Sequence, residues 1–285
     1  ACAMTTTAHF ISQALGLAAQ ALFLSNPNPR VGCVIATPDG RVLGQGFTQQ
    51  AGGPHAEVMA LRDAQAAGHD VRGATAYVTL EPCAHHGRAA PCSDALIAAG
   101  VTRVVTALTD PDPRTAGQGH AKLRAAGIEV VEGVRAPEAA TLQRGFLKRV
   151  TEGLPMVTLK LAASLDGRIA TASGESQWIT GEAARRHVHL LRLQHDAIMV
   201  GGGTARADRP ALNVRGFGPV RQPVRIVVSD RPVTGLPPED AEHGPLWQIS
   251  GDLRVALAGL AERGLTRIFC EGGGMLAAQL LADDL

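Results

Sequence analysis

Aromatic residues are scarce in this chain of 285 residues: six Phe, two Trp and one Tyr. So few rings argue against a protein that stacks the bases of single-stranded nucleic acid on an aromatic platform. An excess of charge of either sign is missing too. Lys and Arg number 27 against 26 Asp and Glu, a formal net charge of +1, so no general attraction to nucleic acid or a membrane surface is expected. No run of about 18 apolar residues occurs and no apolar segment opens the sequence, so neither a membrane span nor a signal peptide is expected. Five cysteines form an odd set without the short spacings of a disulfide framework, which fits a reducing cytoplasm. What the chain has is ordinary globular material: 45% of its residues are hydrophobic, ample for a core. The length suggests about two domains at roughly 150 residues each.

Against that background His55, Glu57, Cys83 and Cys92 stand out. They lie in Pro54-His55-Ala56-Glu57-Val58 and in Glu81-Pro82-Cys83, with Cys92 following after a spacer of eight residues. One imidazole and two thiolates make a three-ligand zinc site whose fourth tetrahedral position is open to water. Zinc lowers the pKa of such a water toward about 7, and Glu57, near the metal without ligating it, is placed to carry protons. This layout resembles the zinc-dependent nucleobase deaminases, which carry His-x-Glu followed by Pro-Cys-x-x-Cys. The long spacer, with His85, His86 and Arg88, has to loop out and return. We expect His86 and Arg88 to meet the substrate there, the plainer alternative being that Arg88 is a solvated loop cation.

Helical and strand-like periodicities alternate along the first half. A helix is predicted over 8–24, ended by the turn Ser25–Pro29, then strands over 31–36 and 41–47 around the hairpin signal Pro38-Asp39-Gly40. Helices over 55–67, 93–99 and 117–126 alternate with strands over 74–80, 102–108 and 128–131, which implies βαβ units packed on a sheet. His55 and Glu57 then fall in the first turn of one helix and Cys92 at the start of another, where the partial positive charge stabilises thiolates. Cys83 follows a strand's C-terminal end, the edge where open α/β sheets place their sites. Cys33 and Cys270 lie in apolar strand patterns and are expected to be buried.

A charged helical stretch over 133–154 ends at Glu152-Gly153-Leu154-Pro155, and the boundary is drawn there: one domain over 1–150 and a second over 154–285. The second has strand patterns at 156–161, 196–201, 224–229 and 266–270, a helix over 181–194 with Thr180 as its N-cap, and a helix over 275–282. The runs Gly201-Gly202-Gly203-Thr204 and Gly272-Gly273-Gly274 suit either a phosphate cradle or a tight turn. Neither has the G-x-G-x-x-G spacing and no P-loop is present. The residues alone lead to an α/β domain suited to a phosphorylated ligand.

Longer motifs carry a resemblance. Asn28-Pro29-Arg30-Val31-Gly32, Gly53–Glu57, Thr79–Cys83, Asp110-Pro111 and Ala116-Gly117 in the first half are similar to one family. So are Ala163–Arg168, Gly174–Thr180 and Cys270–Gly273 in the second half. The chain resembles the bifunctional riboflavin-biosynthesis proteins, a pyrimidine deaminase fused to a 5-amino-6-(5-phosphoribosylamino)uracil reductase. The resemblance implies an α/β protein, a cytidine-deaminase-like three-layer domain followed by a dihydrofolate-reductase-like domain. The first would remove the 2-amino group of a diaminopyrimidinone ribosyl phosphate, and the second would reduce the ribosyl group to ribityl with NADPH.

By the same resemblance His55, Cys83 and Cys92 become the zinc ligands, Glu57 the proton carrier and Asn28 a base contact. Ala162, Trp178, Thr204, Asp208, Ser229, Gly273 and Gly274 match cofactor positions, and Ser176, Arg192, Leu212, Arg215 and Glu271 match substrate positions. Lys160 and Glu271 are expected to face the substrate ribose as a pair and to relay a proton. Their plainer alternatives are a snorkelling lysine and a helix-capping glutamate. Arg231, just after Ser229, is the candidate cation for the 2′-phosphate of NADPH. The chain departs from the family in carrying Arg209 where an acidic residue is usual. Its 230–252 stretch is short, leaving too little chain for the usual strand and helix, and family members continue past Leu285, which leaves open whether the reductase domain is complete. The expected partner is a small phosphorylated pyrimidine, with no nucleic acid or membrane, and a homodimer or tetramer is expected in the cytoplasm. A nucleic-acid-editing deaminase and a nucleotide-sensing protein without reductase chemistry are the rival readings. Near-neutral charge, few aromatics and the second domain weigh against the first of these.

Overall fold

The computed structural model describes residues 2–85, 90–113 and 115–285, with only the backbone described for residues 2–5 and Phe23. The chain divides into two compact units, Ala1–Thr151 and Glu152–Leu285. Among the described residues no helix is long and apolar enough to cross a membrane.

The first unit runs α1 (Cys2–Gln20), a short 3-10 turn, β1 (Gly32–Ala36), β2 (Val42–Phe47), α2 (Ala56–Ala66) and β3 (Thr75–Val78). It continues through α3 (Cys92–Ala98), β4 (Arg103–Thr106), α4 (Gln118–Ala125), β5 (Glu129–Val131) and α5 (Ala136–Glu152). The sheet order is β2-β1-β3-β4-β5. β1 is antiparallel to β2 and β3, while β3, β4 and β5 are parallel.

Side chains of β1 alternate between two cores, as a period of two requires. Cys33 and Ile35 pack with Ala56, Ala60 and Ala64 of α2 and with Leu96 and Leu123 of α3 and α4. Val34 and Ala36 pack with Phe10, Ile11 and Ala14 of α1 and Ala139 of α5. The result is three layers, helices on both faces of a buried sheet. Gly40, at φ +95°, makes the β1–β2 hairpin turn, where the sequence placed it.

What lets α2 lie so close to β2 is the absence of side chains on the strand. A Cβ at Gly44 would stand 2.3 Å from the Ala60 carbonyl oxygen, and one at Gly46 would stand 2.5 Å from Met59 Cβ. The alanine face of α2 and the two glycines are complementary surfaces, and His55 and Glu57 ride on the start of that helix.

The second unit contains β6 (Met156–Leu159), α6 (Glu182–Leu193), β7 (Ala197–Gly201), α7 (Gly202–Asp208) and β8 (Val224–Val228). Then follow β9 (Leu246–Ile249), α8 (Leu253–Glu262), β10 (Arg267–Cys270) and α9 (Gly274–Ala282). Its sheet order is β6-β10-β7-β8-β9, and every pairing is parallel. The central strands are buried on both faces, so they read as unbroken apolar runs. One face packs on Leu253, Leu257 and Leu260 of α8 and Leu276 and Leu280 of α9. Ile198, Val200 and Val227 face the other way, against Ala205 and Leu212.

Two expectations are corrected here. α6 is capped by Gly181, not by Thr180, and no side chain makes the cap; the Thr180 carbonyl instead accepts from Arg185. The short 230–252 stretch does hold a strand, β9, paired along its length with β8. Its alternation of Leu246, Trp247, Gln248 and Ile249 is weak because β9 is an edge strand, partly exposed. The connection before it is held by Arg225, fully buried in β8, whose guanidinium donates to the carbonyls of Gly244, Pro237 and Pro238 at 2.8, 2.8 and 3.2 Å. Asp252 then caps α8 by accepting from the Val255 N–H at 2.9 Å.

Gly46→Ala is expected to destabilise the protein by about 1–3 kcal/mol, because the new methyl group forces α2 off the sheet. Gly16→Ala, on the exposed side of α1 with nothing within 4 Å of the added carbon, should stabilise it by roughly 0.5–1 kcal/mol. Denaturant unfolding of the two variants checks the contrast.

Candidate active sites

The first site is assembled from three local structures. His55 is the N-cap residue of α2, extended at φ −78° and ψ 169°. Cys83 lies in the loop after β3, and Cys92 is the first residue of α3. His55 Nδ1 is 3.6 Å from Cys83 Sγ and 3.3 Å from Cys92 Sγ. The three donor atoms lie within 4.8 Å of one another, and among the described residues no other group of His, Cys, Asp and Glu converges in this way. The Cys92 N–H donates to Cys83 Sγ at 3.3 Å. Ser93 clamps the Cys83 carbonyl with both its N–H and its hydroxyl, at 3.2 and 3.0 Å.

The four ionisable groups perturb one another strongly. Cys83 is drawn down to about 4, first by its contact with the Cys92 thiol and then by His55. The same contact, together with burial, pushes the Cys92 thiol up. Burial lifts the Glu57 carboxyl to about 7, with the charge at Cys83 adding to the effect, and Glu57 is only 3% exposed. One imidazole and two sulfurs that must share protons are the donor set of a tetrahedral zinc site, with one position left over. A buried carboxyl with a pKa near neutrality beside such a set suits proton transfer.

Asn28 precedes β1, in a turn where its N–H donates to the Ser25 carbonyl at 2.7 Å. Thr79, at the end of β3, exchanges hydrogen bonds with Gly32, so Asn28 leads into the sheet edge that also carries Cys83. His86 and Arg88 lie outside the described residues. Of the spacer around them, His85 Nδ1 contacts Thr115 Oγ1 at 3.1 Å.

In this first site, Glu81 is a residue that sequence reasoning missed. It is 3% exposed, and its carboxylate accepts four backbone N–H groups. Oε2 takes Asp110 and Gly117 at 3.2 and 2.9 Å, and Oε1 takes Gly119 and His120 at 2.8 and 3.2 Å. Gly119 is required there, since a Cβ would stand 1.9 Å from the Pro82 carbonyl oxygen. The signal was present in the motif Thr79–Cys83: a carboxylate two residues before a ligand, at a strand exit.

In the second unit a cavity of about 530 Å³ opens at the C-terminal edge of the sheet. It brings together Lys160, Ala162, Ser176, Trp178, Arg192, Thr204, Asp208, Leu212, Arg215, Glu271, Gly273 and Gly274. Thr204 and Asp208 project from one face of α7, one turn apart, and a Cβ on Gly273 would stand 3.0 Å from Thr204 Oγ1. Trp178 is 69% exposed, with the Arg185 guanidinium 4.5 Å from its ring centre.

Two sequence expectations change. Glu271 is not paired with Lys160: its two oxygens take Arg192 Nε and Nη2, the latter at 2.9 Å, in a nearly buried fork. Ser229 is not among the cavity residues; at the end of β8 its hydroxyl donates to the Arg231 carbonyl at 2.8 Å. The Arg206 guanidinium also donates to that hydroxyl, at 3.2 Å. Arg185 and His189 also line the cavity and were missed. Their spacing with Arg192, at i, i+4 and i+7 of one helix, places all three on one face and was legible as a basic stripe.

We expect Glu81→Gln to destabilise the first unit by at least about 2 kcal/mol, because an amide offers one accepting oxygen where two are needed. Amide hydrogen exchange at Asp110, Gly117, Gly119 and His120 should speed up together. Protection unchanged at all four would refute the staple.

Comparison with known proteins gives the same two parts in the same order. The model of the cytidine and deoxycytidylate deaminase zinc-binding region matches residues 4–108, and that of the RibD C-terminal domain matches 155–285. The riboflavin biosynthesis protein RibD of Escherichia coli is 51% identical over 252 residues, covering 84% of this chain and 68% of that protein. The RibD of Aquifex aeolicus is 41% identical over 266 residues, covering 93% and 74%. The crystal structure of a Thermotoga maritima diaminohydroxyphosphoribosylaminopyrimidine deaminase/5-amino-6-(5-phosphoribosylamino)uracil reductase superposes with a TM-score of 0.89 at 38% identity, over 98% of this chain and 84% of that one. A zinc-binding deaminase domain and a nucleotide-dependent reductase domain thus follow one another, and the chain belongs to the RibD family.

Proposed function

We propose that the first unit hydrolyses the 2-amino group of a diaminopyrimidinone ribosyl phosphate and that the second reduces the ribosyl group of the product to ribityl with NADPH, two steps of riboflavin biosynthesis. The observation that carries this reading is the convergence of His55, Cys83 and Cys92 beside a buried Glu57, in a chain whose second unit holds a basic cavity.

In the deaminase His55, Cys83 and Cys92 would hold zinc, which when bound supplies a Lewis acid that makes water a nucleophile at neutral pH. Glu57 takes a proton from the attacking water and delivers it toward the amino group, which leaves as ammonia. Its burial excludes bulk water from that exchange. Asn28 orients the pyrimidine from the neighbouring loop.

In the reductase Thr204, Asp208, Ala162, Trp178 and the turn from Gly273 would hold NADPH, which supplies a hydride for C1′ of the open-chain ribosylamine. Arg192, Arg215 and Ser176 hold the phosphorylated substrate. Glu271 fixes the Arg192 guanidinium in plane by its two-point contact. Lys160, at the end of β6 next to the end of β10, brings the proton that balances the hydride.

Glu57→Gln should lower deaminase kcat at least about a hundredfold while zinc stays bound, and chelation should remove deaminase activity and leave the reductase unchanged. Metal content and the two activities, measured on one preparation, decide the point. A near-normal deamination rate in the variant would remove Glu57 from the mechanism.

For the reductase, Lys160→Ala should slow single-turnover NADPH oxidation at least about a hundredfold with cofactor affinity retained. Glu271→Gln should act mainly on KM, since it loosens Arg192. A parent rate in Lys160→Ala would sink the role of the lysine, and a parent KM in Glu271→Gln that of the glutamate.

A further inference from the structure

The segment Leu212–Arg215 is held with unusual thoroughness for a connection between elements. Arg192 Nη1 donates to the Asn213 carbonyl at 2.7 Å. The Val214 N–H donates to Gln222 Oε1 at 2.8 Å, and Gln222 Nε2 returns a bond to the Val214 carbonyl at 3.1 Å. Leu212 sits at φ +49°, a conformation that a buried leucine keeps only where its surroundings impose it. The last constraint comes from His189 on α6: its Nδ1 lies 3.2 Å from the Arg215 N–H. A backbone N–H can only donate, so Nδ1 is the bare nitrogen and the proton of the neutral ring is on Nε2.

Resting on the reading of Arg215 as a substrate group, we propose that His189 is a positioning residue of the reductase: as a neutral acceptor it fixes the Arg215 backbone, and through it the guanidinium that meets the phosphorylated substrate. His189 and Arg215 line the same cavity, and His189 stands one turn before Arg192 on the same face of α6. The helix therefore grips the substrate segment at two points, with a guanidinium on Asn213 and an imidazole on Arg215.

The arrangement needs an uncharged ring. Protonation would set an Nδ1–H against the Arg215 N–H and add a cation beside two others. Burial holds the His189 pKa below its usual value, and Arg192 and Arg215 push the same way, offset in part by the Asn213 carbonyl and by Glu271. The other charged groups around the cavity are Arg185 on the same helix, Lys160 at the end of β6 and Asp208 on α7.

The test is steady-state reductase kinetics of the full chain with the deaminated, phosphorylated substrate, from about pH 5 to 8, the range in which an imidazole changes charge. His189→Ala should raise KM about tenfold, the loss of one hydrogen-bond acceptor, with kcat within about twofold and deaminase activity unchanged. His189→Asn, whose Oδ1 occupies the place of Nδ1, should restore the parent KM. In the parent KM should rise below the ordinary imidazole range, and in His189→Asn that rise should be absent. A parent-like KM in His189→Ala overturns the proposal, and so does His189→Asn as impaired as His189→Ala. If His189→Ala does not fold, the pH profiles of the parent and His189→Asn still decide, and superimposed profiles overturn it. Arg215→Ala with unchanged KM overturns the underlying reading of Arg215 as well, whereas a raised KM in Arg215→Ala beside a normal one in His189→Ala overturns only the role of His189.

Discussion

A negative charge buried among four backbone N–H groups organises the first unit, and the metal centre depends on it. Glu81 leaves β3 two residues before Cys83 and accepts from Asp110, Gly117, Gly119 and His120. Those donors belong to the loop after β4 and the first turn of α4. One side chain therefore ties the strand exit carrying a sulfur ligand to the neighbouring crossover. Without it the loop that positions Cys83 would be anchored mainly by Ser93. Four charge-assisted bonds offset the desolvation of the carboxylate.

The second unit solves a similar problem with different means. It places its cavity at the C-terminal edge of a parallel sheet, where chain after chain turns away and leaves a crevice. The Arg192–Glu271 fork spans from α6 to the end of β10, and backbone bonds then carry that rigidity into the 212–215 segment. Charge in this cavity is mostly positive, which suits a substrate bearing a phosphate.

Much of the fold was legible because apolar periodicity and glycine stops are local signals. α2, α3, β4, α4 and α6 lie within a few residues of where the sequence put them. What escaped has physical reasons. β9 is a half-exposed edge strand with a mixed pattern, and α7 begins directly from a glycine run that reads equally as a turn. The metal donors could be found because their chemistry requires rare residue types. Glu271's partner could not, because Arg192 lies 79 positions away and only the fold brings the two together. Ser229 is a similar case: its hydroxyl is turned to Arg206 and Arg231, partners that only the fold supplies.

The strand order of the second unit has a consequence for how the protein is made. β10, formed by Arg267–Cys270, lies between β6 and β7, so the middle of that sheet is supplied after both of its flanks. Until the ribosome has released β10, β6 has no neighbour and β7 offers β10's partner edge to solvent. The first unit has every strand it needs by Val131 and its last helix by Glu152. It can close on itself while the remaining strands are still being synthesised, an interval on the order of ten seconds. Nascent chains therefore pass through a stage with one finished half and one open parallel edge, and that edge is where a holding chaperone would be drawn.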